Sequence, residues 1–321
     1  MAIRVVLTGA GARGRDWTSE LARHPGCELV ACVDVDPARR NLGVPGFGSL
    51  AEAIDAVPSD AVIVATPPAD HADSCRTALE RGKAALVEKP FTDRLGDAVE
   101  LVELADERGL PLMVGQNHRF LRSMSTARRV VESGALGRVH SVTAHYYRPP
   151  HSMAPFHDDL EDPVLWAIGV HHIDSLRWVL RQDPVAVAMQ RGASVQVLLE
   201  LEGGTRAVYS ATYESSGHEF FERGQEFYKR LIGERATLHV FQRWLFLCEG
   251  RKPPRPIRRG PRPVSEESVL LSQLERAVVH GEQPESSGRS NLPTIATLEA
   301  CVRSADERRW VATEEVMHAT L

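Results

Sequence analysis

Lysine is scarce in this chain. Of the 38 cationic residues among its 321, only Lys83, Lys89, Lys229 and Lys252 are lysines. Arginine carries the rest and stays protonated at any working pH, whereas a buried lysine can release its proton, so each lysine is a candidate for work arginine cannot do. The five cysteines are odd in number and show no CxxC spacing, which excludes a disulfide framework and a thiolate zinc site and leaves reduced, mostly buried thiols. No apolar run approaches the ~20 residues that span a bilayer, and residues 1–7 lack the architecture of a signal peptide. A cytoplasmic protein with no membrane partner is expected. A net charge of −5 gives no overall basic footprint. The one basic stretch, 251–262, has prolines interleaved and no stacking aromatics, so it reads as a solvated loop and no nucleic-acid partner is expected. Disorder, collagen and coiled coil are excluded by 43% hydrophobic and 25% charged residues.

What is present begins at the N-terminus. The aliphatic run 3–7 feeds into Gly9-Ala10-Gly11-Ala12-Arg13-Gly14, after which Trp17 and Leu21 keep helical spacing. Such a strand, glycine turn and helix lets a pyrophosphate approach the backbone at Gly11 while helix N–H groups face it. The next strand, 28–33, ends in Asp34, twenty positions beyond Gly14, where a carboxylate can accept hydrogen bonds from a ribose diol. A carboxylate there repels a 2′-phosphate and favours NAD, while Arg39 and Arg40 nearby leave NADP open. Strands at 61–65, 84–87 and 112–114 alternate with helices at 72–81 and 96–108, which predicts a parallel, doubly wound sheet. Ligands sit outside the carboxyl ends of such strands, where Thr66-Pro67-Pro68, Glu88-Lys89-Pro90 and Gln116-Asn117-His118-Arg119 are found. Lys89 thus stands at the ligand edge, followed by a proline that restricts its backbone, and there it can polarise a substrate oxygen. The other three lysines are expected where arginine would serve: Lys83 after a helix, Lys229 in a polar strand, Lys252 in the basic loop.

These residues together resemble the Gfo/Idh/MocA oxidoreductases over the whole chain. The resemblance rests on the glycine turn 9–14, Thr66-Pro67 followed by His71, Glu88-Lys89-Pro90, Gly115-Gln116-Asn117-His118-Arg119, Gly169-Val170-His171-His172-Ile173-Asp174, and Gly288-Arg289-Ser290-Asn291. It implies a Rossmann domain over 1–120 and a substrate-binding and oligomerisation domain over 121–321, a homodimer or homotetramer, and NAD(P)-dependent hydride transfer on a sugar, cyclitol or related small molecule. It implies that Gly9, Gly11, Ala12, Arg13, Gly14, Asp34, Thr66, Pro67, His71, Glu88, Lys89 and Asn117 hold the cofactor. The substrate would meet Lys89, Arg119, His157, His171, His172 and Asp174, with Lys89, His171 and Asp174 catalytic.

The second half supports an α+β layer. A strand at 138–147, a helix at 166–180, strands at 195–201 and 205–213 around Gly203-Gly204, a pair at 236–241 and 244–247, and helices at 269–280 and 293–307 predict an open, largely antiparallel sheet with helices on one face. The other face is free for a second subunit. His171 and Asp174, three apart, share a helix face, while His172 is rotated by ~100°. An imidazole titrating near neutrality can take a hydroxyl proton as hydride leaves the same carbon. Two departures from the family pattern weaken the polyol assignment: Ala167 stands where many members carry an aspartate, and a tryptophan–arginine pair is missing from 151–163. They keep open reduction of a C=N or C=C bond, and a non-catalytic protein that binds NAD(H) or a sugar. His151, His157, Asp158 and Asp159 are metal-ligand types without a supporting i,i+4 histidine pair, so no metal is expected. Ser290-Asn291 is read as a helix N-cap.

Overall fold

A computed structural model describes residues 2–148, 162–215 and 227–320. His151, His157, Asp158 and Asp159 lie outside the described residues. The chain divides into two compact units, Met1–Asn117 with Pro263–Ile295, and His118–Arg262 with Ala296–Leu321. The chain therefore returns to its first unit after leaving it, which periodicity along the sequence does not reveal.

In the first unit, strands β1 (Ile3–Thr8), β2 (Cys27–Val33), β3 (Gly46–Phe47), β4 (Ala61–Val64), β5 (Ala84–Val87) and β6 (Leu112–Val114) form one sheet in the order β3-β2-β1-β4-β5-β6. Every pairing is parallel. Strand β4 is four consecutive buried aliphatics, as expected where helices cover both faces. The connecting helices are α1 (Ala12–Leu21), α2 (Leu50–Ala56), α3 (His71–Glu80) and α4 (Leu95–Arg108). Helix α4 stops at Gly109, whose φ of +62° gives a left-handed cap.

In the second unit, α5 (Arg122–Glu132), β7 (Val139–Tyr147), α6 (Val170–Leu180), β8 (Pro184–Gln190), β9 (Val195–Leu201), β10 (Arg206–Thr212), β11 (Tyr228–Gly233), β12 (Thr237–Phe241), β13 (Leu245–Cys248) and β14 (Arg255–Pro256) follow in order. Helices α7 (Glu266–His280), α8 (Gly288–Glu307) and α9 (Thr313–Thr320), with β15 (Val311–Ala312) between the last two, complete the chain. The second sheet runs β14-β13-β12-β11-β7-β10-β9-β8-β15. All its pairings are antiparallel except β7 with β10. Residues alternate along it: Val195, Val197 and Leu199 are buried, while Leu198 and, on the neighbouring strand, Val208 are exposed. The β9–β10 hairpin turns through Gly203 and Gly204, both at positive φ.

Three details differ from the sequence reading. Strands β3, β8, β14 and β15, the bounds of β11 around Lys229, and helices α2, α5 and α9 were not expected; α5 in particular carries Arg122, Arg128 and Arg129 rather than a clear apolar stripe. The helix read at 166–180 opens with a π-helical turn, Leu165–Gly169, before α6, and α6 is buried nearly all round. Its polar residues therefore meet other polar groups inside the unit instead of solvent. The cap of α8 is Ser287, whose hydroxyl accepts from Ser290 N at 3.2 Å, while the Ser290 hydroxyl donates to the Glu285 and Ser287 carbonyls. The helix starts at Gly288, so the capping oxygen comes from the preceding residue.

Candidate functional site

In the first unit the glycine turn is built by close approach. Gly9 has φ +88°, and a Cβ there would lie 2.5 Å from the Ala65 carbonyl; a Cβ on Gly14 would lie 2.0 Å from the Gly9 carbonyl oxygen. Those two glycines let β1, β4 and α1 meet. Gly11 differs, because the nearest atom to its Cβ position is an Arg39 guanidinium nitrogen at 3.9 Å. Gly11 also begins α1 without a side-chain cap, so the helix presents free N–H groups over open space. The buried Asp34 carboxylate, at the carboxyl end of β2, accepts from Ala10 N at 2.7 Å and Asp36 N at 2.9 Å. The buried Thr66 hydroxyl oxygen has no hydrogen-bond partner among the described residues. Open glycine, uncapped helix, strand-end carboxylate and orphaned hydroxyl fit a dinucleotide.

Glu88 and Lys89 follow β5 on the same sheet edge. One Glu88 oxygen, Oε1, accepts from Trp17 Nε1 at 2.8 Å, from Arg13 Nε at 3.0 Å and from Arg13 Nη2 at 2.6 Å. Arg13 also reaches Glu267 of α7 at 3.2 Å, and the Asn117 amide donates to the same Glu267 oxygen at 3.0 Å. Arg13 and Asn117 are thus tied to carboxylates from distant parts of the chain. Burial pushes the Lys89 amine down to about 8; Glu88 opposes the shift and Arg13 adds to it. His71 bridges the two loops beside it, with Nδ1 2.8 Å from the Pro90 carbonyl and Nε2 3.0 Å from the Thr66 carbonyl. Burial lowers its pKa despite both contacts. The geometry makes it a strut between these loops.

In the second unit, α6 carries His171, His172 and Asp174 at 6%, 2% and 1% exposure. His118 stacks on His171 with ring centroids 3.9 Å apart and planes 15° from parallel. Asp174 is held bidentately by Arg119, Oδ2 to Nε at 2.7 Å and Oδ1 to Nη2 at 2.6 Å, with Arg177 at 3.6 Å. His172 packs edge-on to Tyr209 and Tyr146 at 5.4 Å, and neither of its ring nitrogens has a partner among the described residues. Burial first, then the Lys229 charge, hold it well below its usual pKa and therefore neutral. His171 and Asp174 belong to different arrangements, one stacked on a ring and the other locked in an ion pair.

Lys229 corrects the sequence reading. Far from lying in a polar strand, it is 2% exposed, donates to Ser175 Oγ at 3.0 Å and sits 4.6 Å from the Phe227 ring centroid. Burial pulls its amine down to about 7, with Asp174 opposing. The missed signal was period two: Phe227, Lys229 and Leu231 share one buried face. His118 was passed over beside Arg119. Glu267 had no local signal, since its partners stand 254 and 150 positions away. The five cysteines are free, four of them buried; desolvation pushes Cys27 and Cys75 up to about 12, leaving inert thiols.

Comparison with known proteins places this geometry. Residues 3–116 match the model of the oxidoreductase family with an NAD-binding Rossmann fold, and residues 124–239 match that of the GFO/IDH/MocA C-terminal domain. The chain belongs to the Gfo/Idh/MocA family of oxidoreductases. Its cofactor is NAD, and the family's two-domain order accounts for a parallel sheet followed by an open mixed one. Among relatives, D-apiose dehydrogenase of Paraburkholderia graminis is 26% identical, the match covering 95% of this chain and 88% of that protein. Inositol 2-dehydrogenase of Rhizobium meliloti is 24% identical over 97% of this chain and 99% of its own. Two solved structures share the fold at a TM-score of 0.86: a levoglucosan dehydrogenase in complex with NADH, 18% identical over 98% and 99% of the two chains, and the Caulobacter crescentus aldose-aldose oxidoreductase, 21% identical over 97% and 100%. Among the described residues no helix is long and apolar enough to cross a membrane, and no group of three or more candidate ligands could hold a metal ion.

Proposed function

We propose that this oxidoreductase is an NAD-dependent dehydrogenase of a sugar, cyclitol or closely related polyhydroxylated small molecule, with Lys89, His171 and Asp174 as its functional groups. The observation that carries the reading is Lys89: a half-buried side chain whose desolvated amine is pulled down to about 8, on the sheet edge where Gly9-Ala10-Gly11, Thr66 and Glu88 also end their strands. The cofactor, held by the glycine turn 9–14, Asp34 and the Thr66-Pro67 loop, supplies an acceptor or donor for hydride. Lys89 as a cation hydrogen-bonds the substrate oxygen and draws charge from the carbon–oxygen bond. His171 takes the hydroxyl proton in oxidation and returns it in reduction, its ring plane fixed by stacking on His118. Asp174, through its bidentate bond to Arg119, keeps α6 and the residue following Asn117 in register. Arg119, His172 and His157 complete the proposed substrate-binding set.

Apiose, inositol and levoglucosan in the names of the relatives support a polyhydroxylated substrate. A second reading has its own observation: Ala167, buried in the π-turn before α6, offers a methyl group where many members place an aspartate. It favours a reductase of C=N or C=C bonds, or a protein that binds NAD(H) without turnover. Absorbance at 340 nm across sugars, cyclitols and keto-sugars separates these; no change with any of them defeats the polyol reading. Lys89→Ala should abolish turnover while NAD binding stays within a few-fold, and undiminished turnover would remove Lys89 from the mechanism. We also assign the protein to the cytoplasm and to a homodimer or homotetramer joined through the open sheet face, where Leu198 and Val208 are exposed on adjacent strands.

A further inference from the structure

Lys229 lies at the middle of the second sheet, and hydride transfer as described above gives it no work. In the sheet register Ala144 of β7 stands opposite Lys229 of β11 on one side and opposite Tyr209 of β10 on the other. Residues directly opposite one another share a face, and all three are buried. Two strand spacings set the roots of Lys229 and Tyr209 about 10 Å apart, with only a methyl group between them. Helix α6 lies over this row: Ser175 Oγ accepts from Lys229 Nζ at 3.0 Å, and the His172 ring stands edge-on to Tyr209 at 5.4 Å and to Phe227 at 5.5 Å. The Lys229 amine also meets the Met124 sulfur at 3.8 Å and the Phe227 ring at 4.6 Å.

The charges around it leave that amine uncompensated. Arg119 is matched by Asp174 in a bidentate pair and Arg177 donates to Asp183 at 2.6 and 2.9 Å, whereas no carboxylate among the described residues bonds Lys229. Buried polar groups are ordinarily hydrogen-bonded and buried charges paired. Here the Tyr209 hydroxyl and both His172 ring nitrogens also lack partners among the described residues. An ammonium offers three N–H groups, a phenol one O–H and a neutral imidazole one N–H against a single ring acceptor, so donors are in excess at this place. A carboxylate accepts at two oxygens and brings the missing negative charge. We propose that Lys229, Tyr209 and His172 bind a carboxylate of the substrate, which makes the substrate a sugar acid of the uronate or aldonate type rather than a neutral sugar. The inference rests on the dehydrogenase reading above and narrows its substrate class.

The test compares acids with neutral counterparts: D-glucuronate, D-galacturonate and D-gluconate against D-glucose, D-galactose and D-glucitol. Each is titrated calorimetrically into the full-length protein saturated with NADH, and turnover with NAD is followed by nicotinamide absorbance. At least one acid should bind about tenfold or more tightly than its counterpart, because charge-assisted hydrogen bonds replace neutral ones. Lys229→Met, which keeps most of the stem and removes the charge, should bring that ratio to within about twofold of unity, the loss falling on KM rather than kcat. Should the variant fail to fold, wild type gives a second readout. With the Lys229 amine at about 7, acid binding near pH ~8 should take up more protons than binding of the neutral counterpart, since the carboxylate restores the cation. Heats in buffers of different ionisation enthalpy measure that uptake. Failure of every acid to bind, equal affinity for acid and neutral sugar, or a preference that survives Lys229→Met overturns the inference. Turnover of neutral sugars without acid preference overturns it while leaving the dehydrogenase reading in place; Lys229-dependent acid binding without turnover supports it and defeats that reading.

Discussion

Asp174→Asn is the most incisive perturbation available in the second unit. Asp174 is 1% exposed and its carboxylate is bonded to Arg119, itself 3% exposed, while Arg177 stands 3.6 Å away and Lys229 feels its charge. The substitution keeps shape and removes the negative charge, leaving the Arg119 guanidinium buried against a neutral amide. Removing one partner of a buried ion pair costs about 3–5 kcal/mol, because the remaining charge stays desolvated. At about 2–4 °C per kcal/mol for a domain of this size, the thermal midpoint of the second unit should fall by roughly 6–20 °C. Chemical denaturation followed by tryptophan fluorescence reads it, since Trp178 lies on α6. The double variant Arg119→Met, Asp174→Leu should be less destabilised than the sum of its single variants, because neither member of the bidentate pair is then left buried without the other. A loss below ~1 kcal/mol for Asp174→Asn, or simple additivity in the double variant, would refute the ion-pair reasoning. Unchanged stability with lost turnover would instead make Asp174 a direct substrate contact.

Other outcomes follow from the same geometry. With Lys89 acting as a cation of pKa about 8, kcat/KM should fall as pH rises through that value; a rise would make the neutral amine the active form. Lys229, at about 7 in the folded chain, binds fewer protons there than when unfolded, so stability rises with pH from about 7 toward the free-lysine value. Lys229→Met should flatten that rise, which is at most about 1.4 kcal/mol per pH unit from one group, and an unchanged slope in denaturation curves would place the amine elsewhere. Gly14→Ala sets a methyl 2.0 Å from the Gly9 carbonyl oxygen and should abolish NAD binding, measured by nicotinamide fluorescence; retained affinity would show that the turn can yield. NAD should bind more tightly than NADP, and the reverse preference would overturn the use made of Asp34.

Most of the parallel sheet was legible from local pattern because its main elements announced themselves, aliphatic β4 and β5 and the turn Gly9-Ala10-Gly11, whereas the two-residue β3 and the short α2 carried no such signal. Residues that follow parallel strands fall on one edge by topology alone, so Lys89 and Asp34 were readable as residues of one sheet edge. What the pattern missed depended on partners distant in the chain. Lys229 reads as a cation that arginine could replace until the neighbours of β11 are known, and His171 and Asp174 read as one pair on a helix face until His118 stacks on the first and Arg119 bonds the second.

The sequence by itself thus determined the doubly wound unit, its glycine turn and the lysine at the end of β5, because those rest on spacing within some thirty residues. Only the tertiary structure decided that Glu267 returns to hold Arg13, that His118 stacks on His171, and that Asp174 is committed to Arg119. Contacts between residues far apart in the chain are chosen by packing and by the need to pair buried charge, and no local period encodes them.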